Sequence, residues 1–259
     1  MPAVTLHSPP IESRATVQAN GLLAAMPHDA LDRLLPHLER VTLAAGQTLY
    51  DGSDLLKHAY FPVNTVVTLM QSLNGHAPTK LALVGREGVV GISVYMGGAN
   101  YGCAVVLNNG EAFKIPAAAL KAEFALNDAA MRLLLRFTQA LVTQMAQTAV
   151  CNRHHVVEQQ LSTWLLSYLD RLPQGNSMRA SSTAKDSLHI TQATVASMLG
   201  VRREAVSEAT VALRDMGLIA SRRGRIILLD RPGLQTRACE CYLVVKRETQ
   251  RLLPERIAT

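Results

Sequence analysis

Apolar and polar positions follow two different rhythms in this chain, and the change of rhythm divides it. Between Val41 and Pro116 short β-rich runs recur: "QTLY", "HAYFPV", "TVVTLMQSL", "TKLALVG", "CAVVLN" and "EAFKI". Turn signals separate them, at Asp51-Gly52, Asn74-Gly75, Gly97-Gly98 and Asn109-Gly110. Regularly spaced short strands with such turns predict a β-sandwich or jelly-roll barrel. Upstream, Leu31, Leu34, Leu35 and Leu38 mark one face of a short helix, and the polar, Pro-containing residues 1–20 are expected to be a loose tail.

After Pro116 the rhythm becomes helical. Asn127 is the expected N-cap of a long helix running to about Val150. Its polar stripe is narrow: Arg132, Arg136, Gln139, Thr143 and Gln147. A surface helix ordinarily buries one face, whereas this one is apolar on two sides and calls for two partners. One is its own β-domain. The other is a second copy of itself, packed on a seam of Met131, Leu134, Thr138, Leu141 and Met145 at heptad spacing. A helix buried wholly within one chain is the alternative. "HHVVEQQLSTWLLSYLDRL" predicts a further amphipathic helix with Leu161, Leu165 and Leu169 in line. "PQGNSMRASSTAKDS" then reads as a loop or hairpin, and residues Cys151 to His155 as a hinge.

The stretch "TQATVASMLGVRREAVSEATVALRDMGLI" sets two short amphipathic segments around one glycine. Thr191 can cap a helix that starts at Gln192 and buries Val195, Ala196 and Leu199. Gly200 permits the left-handed backbone that ends it, and Val201 is expected to be buried in the turn. The second helix is expected to turn Val206, Ala209, Val211 and Leu213 inward. This is a helix-turn-helix pattern. "GLIASRRGRIILLD" adds two β-rich runs around a basic tip, the hairpin of a winged helix. The second helix can enter a DNA major groove. Arg203 suits guanine O6 and N7, Glu204 suits cytosine N4, and Arg222, Arg223 and Arg225 suit phosphates. Thr191, Gln192, Arg202, Ser207 and Glu208 complete the expected DNA-facing set.

Charge placement agrees. Up to Ala180 there are 13 Lys and Arg against 12 Asp and Glu, and from Ser181 onward 13 against 8. Nearly all of the net +6 therefore lies in the last third, which favours a polyanionic partner, double-stranded DNA before membrane. With 48% apolar residues and 4% aromatic ones, the core is expected to be large and aliphatic. There is no run of 18 apolar residues and no secretory pattern at the N-terminus, so a cytoplasmic protein is expected. Four cysteines make no disulfide framework in this length. No Ser/His/Asp set or paired carboxylates stand out, and no enzyme activity is expected.

These features resemble the CRP-FNR family of bacterial transcription regulators over about residues 20–230. The likeness rests on the helix-turn-helix stretch, the wing, the long helix, and "HAYFPVNTVVTL" and "LVGREGVVG" of a cyclic-nucleotide-type β-roll. It implies an α+β chain with a jelly-roll sensor (20–126), a dimerisation helix (127–152), a winged helix-turn-helix (153–232) and a helical tail (233–259). It also implies a homodimer on a two-fold symmetric operator, with RNA polymerase as a further partner. The family's base-reading arginine and glutamate would be Arg203 and Glu204; a second arginine carried by some members falls on Glu208. The usual capping serine is replaced by Arg202, whose charge is unfavourable at a helix N-terminus unless a phosphate docks there. The competing function is a small-molecule or cyclic-nucleotide receptor whose C-terminal module binds protein.

In cyclic-AMP-binding members a glycine-glutamate pair and a later arginine hold ribose and phosphate. Gly85, Glu87 and Gly88 supply the first part, and the arginine position falls on Asn100 and Tyr101. A buried phosphate without its arginine is poorly neutralised, so no cyclic nucleotide is expected unless Arg86 substitutes. The effector is left unknown. No cysteine precedes Cys103, which removes the N-terminal iron–sulfur cluster of other members. Cys151, His154 and His155 stand at i, i+3 and i+4 and could hold a metal, but packing is the expectation. Cys239 and Cys241 lack further ligands in sequence. No metal and no cofactor are therefore expected.

Overall fold

The computed structural model describes residues 13–52, 55–71, 78–98, 102–173, 187–222 and 224–253. Three short helices open the chain: α1 (Arg14–Val17), α2 (Gly21–Ala24) and α3 (His28–Leu34). Residues 14–20 are not the loose tail their polarity predicts. Val17 is buried, and buried Asn20 caps α2 while donating to the Pro62 and Gly88 carbonyls. Burial of this asparagine is tolerated because its side-chain oxygen and nitrogen are both hydrogen-bonded.

Seven strands follow: β1 (Glu39–Leu43), β2 (Thr48–Tyr50), β3 (His58–Pro62), β4 (Val67–Gln71), β5 (Thr79–Val84), β6 (Cys103–Val106) and β7 (Gly110–Pro116), with α4 (Ser93–Met96) between β5 and β6. They form two antiparallel sheets, ordered β1-β7-β3 and β2-β6-β4-β5. Each predicted β-rich run contains a strand; β1 lies ahead of the first of them. The register of β1 on β7 places Glu39 opposite Lys114, an ion pair at 2.7 Å. Phe61, Val67, Val84, Ala104, Phe113 and Ile115 fill the space between the sheets.

The next helix is α5 (Ala117–Leu126), tied to α3 by two parallel Arg33–Glu123 hydrogen bonds of 2.8 Å that make burial of Glu123 tolerable. Asn127 ends α5 and begins α6 (Asp128–His154) with a side chain that accepts from the Ala129 and Ala130 amides. The expected cap is observed, and the helix runs one turn beyond its expected end. Then come α7 (Val157–Leu169), β8 (Ser187–His189), α8 (Gln192–Leu199), α9 (Arg203–Asp215), β9 (Ile219–Arg222), β10 (Arg225–Leu228), α10 (Arg231–Arg237) and α11 (Glu240–Leu252). Residues 174–186, most of the predicted loop or hairpin, lie outside the described residues. The last three strands form a sheet ordered β8-β10-β9.

The C-terminal elements do not stand apart from the β-roll. Val66, Leu83 and Leu107 belong to the same buried cluster as Trp164, Leu166, Leu199 and Val206. Helix α8 lies on β5, where the Ser197 hydroxyl donates to the Pro78 carbonyl at 3.1 Å. Helix α11 returns along α6 and also touches α7. Asp170, just past α7, gathers Arg231, the Tyr242 hydroxyl (2.9 Å) and Lys246 (3.8 Å), which holds α10 and α11 to the module.

Candidate nucleic-acid interface

Helix α8 begins where its sequence requires. Thr191 is extended, and its hydroxyl accepts from the Thr194 amide at 3.1 Å. Val195, Ala196, Met198 and Leu199 are buried. Gly200 ends the helix at φ +67°, a left-handed conformation that costs glycine little and other residues more. After a short turn, with Val201 half-buried rather than fully enclosed, α9 starts at Arg203. Its inner face is Val206, Ala209, Thr210 and Leu213. Val211, expected inward, is 39% exposed. At about 100° per residue it sits some 140° around the helix from Val206, off the buried stripe.

The opposite face of α9 is charged. Arg202, Arg203, Glu204 and Glu208 are exposed, and Ser207 is half-buried at its margin. Arg202 makes no side-chain capping bond. The first-turn amides of α9 are thus left for an external acceptor, and the helix dipole adds to the pull on an anion. Arg214, further along, is engaged by Asp215 at 3.1 Å. In the wing, Arg222 pairs in register with Arg225 across the β9–β10 turn. Arg222 is exposed and Arg225 half-buried; Arg223 lies outside the described residues.

Residues 159–237 match the family model of the Crp-like helix-turn-helix domain. The match covers α7, the helix-turn-helix, the wing and α10. The rest of the chain agrees in fold. FixK2 from Bradyrhizobium japonicum is 16% identical, with a TM-score of 0.64 over 78% of this chain and 98% of that one. A CRP-family transcriptional regulator from Thermus thermophilus is 18% identical, with a TM-score of 0.61 over 76% and 96%. A putative regulator of the crp/fnr family from Eubacterium rectale is 14% identical, with a TM-score of 0.64 over 85% and 98%. No curated protein matches the chain in sequence. The chain shares the fold of these solved structures: an antiparallel β-roll, a long helix and a helix-turn-helix. Among the described residues no helix is long and apolar enough to cross a membrane.

The two glycines of the "GREG" segment are packed against other elements, while Arg86 and Glu87 between them line an open groove. A Cβ at Gly88 would lie 2.1 Å from the Phe137 ring of α6, and one at Gly85 would lie 2.5 Å from Arg171 Cβ. Both glycines are required by close packing. Glu87, expected to hold an effector ribose, is instead paired with Arg171 at 2.8 Å. Arg171 is itself buried and donates to the carbonyls of Leu83 (3.1 Å) and Ser167 (2.7 Å). With its amide turned the satisfying way, Gln144 of α6 accepts from Arg171 and donates to the Leu83 carbonyl, both at 3.0 Å. One guanidinium therefore joins β5, the long helix and the DNA module. Sequence offered no signal for it, because a lone arginine after a helix is common. Arg86 lines an open groove with Asp170, Arg171 and Lys246. Asn100 and Tyr101 lie outside the described residues.

The seam expected on α6 needs correction. Leu134 and Leu141 are 0% and 3% exposed within a single chain and belong to the β-roll core. Met145 packs against that core, half-buried Met131 lies on the same side, and Thr138 bonds the Tyr95 hydroxyl at 3.1 Å. Val150 near the end of the helix is 46% exposed, and one residue further round from the expected seam Leu135 and Val142 stand in solvent, 39% and 51% exposed. With Gln139, Ala146 and Ala149, also exposed, they step 4, 3, 4, 3 along the helix.

The cysteines also depart from expectation. Cys239 and Cys241 do have companions: their sulfurs, that of Cys151 and a ring nitrogen of His155 all lie within 4.8 Å of one another. His154, weighed with them, is exposed and outside the group. Hydrogen bonding with Cys151 holds the Cys239 thiol down to about 5, and the same contact together with burial pushes Cys151 up. Each half of this group was visible in the sequence, but nothing there indicated that 88 residues of separation close to a contact.

Proposed function

We propose that this protein is a homodimeric, sequence-specific DNA-binding transcription regulator acting on a two-fold symmetric operator. The observation that carries the reading is the pair Arg203 and Glu204, solvent-exposed in the first turn of α9, while the rest of that helix is anchored by its buried opposite face. A rigid helix with donors and acceptors at its N-terminal end suits major-groove readout. Exposed Arg202 and Arg222, with half-buried Arg225, are the phosphate contacts of this reading, and Thr191 and Gln192 at the start of the preceding helix complete its DNA-facing set. The exposed heptad of Leu135 and Val142 supports pairing of two copies through α6. Two recognition helices would then lie about 34 Å apart, one DNA turn. RNA polymerase is the natural further partner of such a regulator.

The β-roll is the signal-receiving part. Occupation of Glu87 by Arg171 and of the Gly88 approach by Phe137 argues against a cyclic nucleotide. Calorimetry with cyclic AMP and cyclic GMP should show no saturable binding. A change at the "GREG" segment would instead reach the DNA module through Arg171.

Selection on randomised DNA, followed by titration at several salt concentrations, tests the reading. A recovered two-fold motif whose affinity falls steeply with salt is expected. Enrichment of no motif, or a salt-independent affinity, would overturn it in favour of a protein-binding module.

A further inference from the structure

Helices α6, α7 and α11 meet at one corner of the molecule. Cys151 and His155 are one turn apart, on the last turn of α6 and its C-cap. Cys239 is the N-cap of α11, and Cys241 is two residues on. The Cys151 and Cys239 sulfurs are 3.6 Å apart, and the Cys241 sulfur is 3.7 Å from His155 Nδ1. All three cysteines are free thiols and buried.

We propose that Cys151, His155, Cys239 and Cys241 form a closed tetrahedral zinc site. Zinc binds thiolate at about 2.3 Å and imidazole at about 2.0–2.1 Å, which places tetrahedral ligands roughly 3.4–3.8 Å apart. Two edges of the group already have that length, and every other pair is within 4.8 Å. An iron–sulfur cluster does not fit, because its bridging sulfides hold the ligand pairs further apart. Three cysteines with one histidine is an established structural zinc set, and four protein ligands leave no open position for catalysis.

The surroundings are those of a metal centre. His155 Nε2 faces Glu240 at 3.3 Å, so the carboxylate can hold the Nε2 proton and turn the Nδ1 lone pair toward the sulfurs. The Thr163 hydroxyl is 3.1 Å from the Cys239 sulfur and can donate to a thiolate. Zinc with three thiolates and a neutral imidazole carries one net negative charge, and Lys80 lines the same cavity as Cys151 and Cys241. Binding would release the thiol protons to solvent and leave the oxidation state of the sulfurs unchanged. The site would fasten the C-terminal helix to the end of α6, where the chain leaves for the DNA module.

The test is elemental analysis of the full-length protein, together with cobalt(II) substitution read by visible absorption. One zinc per chain is expected, and the cobalt form should show tetrahedral thiolate bands. Cys151→Ser and Cys241→Ser should lose the metal, whereas Cys103→Ser, in strand β6, should keep it. His155→Cys should retain one ion with a shifted cobalt spectrum, a readout that a merely packed cluster would not give. Glu240→Gln should keep the stoichiometry but weaken zinc by about 10- to 100-fold. The proposal is overturned by a folded protein that takes up neither zinc nor cobalt. It is equally overturned by uptake that survives both serine variants, by iron with its own visible absorption, or by a Cys151–Cys239 disulfide in the purified chain.

Discussion

Helices α6 and α9 each bury one face in their own chain, and what they leave in solvent differs. On α6 the outer stripe is Leu135, Val142 and Ala149, interrupted by Gln139. On α9 it is Arg203, Glu204, Glu208 and Arg214. The inner faces are alike, Leu134 and Leu141 on one helix and Val206 and Leu213 on the other, all nearly inaccessible. The inner faces therefore report only that each helix belongs to a fold. The helices differ in chemistry only on the outer one. Apolar side chains at heptad spacing gain by leaving water against a like surface, whereas paired charges on a rigid helix lose by burial and gain from groove edges and phosphates.

The most damaging way to break this contrast is to charge the outer stripe of α6. Leu135→Asp with Val142→Asp should give a folded monomer and lower operator affinity by about 100-fold or more, because two linked half-site contacts become one. Sedimentation and titration of the recovered operator would show it; a stable dimer in the double variant would refute the seam. Leu134→Ala acts on the inner face instead. It should cost about 2–5 kcal/mol of stability in chemical denaturation, with dimerisation retained by whatever remains folded. Gly88→Ala presses a methyl into Phe137 and should cost about 1–3 kcal/mol in the same measurement. On α9, Arg203→Ala should lose about 1–3 kcal/mol on the preferred site and relax one base pair of the selected motif. The smallest effect is expected for Arg222→Ala, which should weaken all sequences alike and reduce the salt slope by about one. If Arg203→Ala left the motif unchanged while Arg222→Ala altered it, the orientation assigned to α9 would be wrong.

Strands and caps were legible because their signals are local. Asn127, Thr191 and Gly200 each act within four residues, and the strand runs are bounded by their own turns. The α6 seam was misplaced for a physical reason: a heptad of apolar residues satisfies a β-roll as well as a second helix, and periodicity does not say which surface it meets. The inner face of α9 was legible apart from Val211, which lies some 140° around the helix from Val206 and so falls off the buried stripe. Arg171 and the joining of Cys151 to Cys239 were not legible, since both depend on how α7 and α11 fold back upon β5 and α6. Such returns are set by tertiary packing and leave no pattern along the chain.

The shared burial of Val66, Leu83 and Leu107 with Trp164 and Leu199 has a thermodynamic consequence. A β-roll and a DNA module joined only by a tether would melt independently, each with its own heat-absorption peak. Here the outer surface of one sheet is also the floor of the other module's core, so neither half can come undone without exposing the other's apolar interior. Heating should produce one cooperative endotherm for the whole chain, and truncation after α6 should leave a β-roll with a bare, adhesive flank.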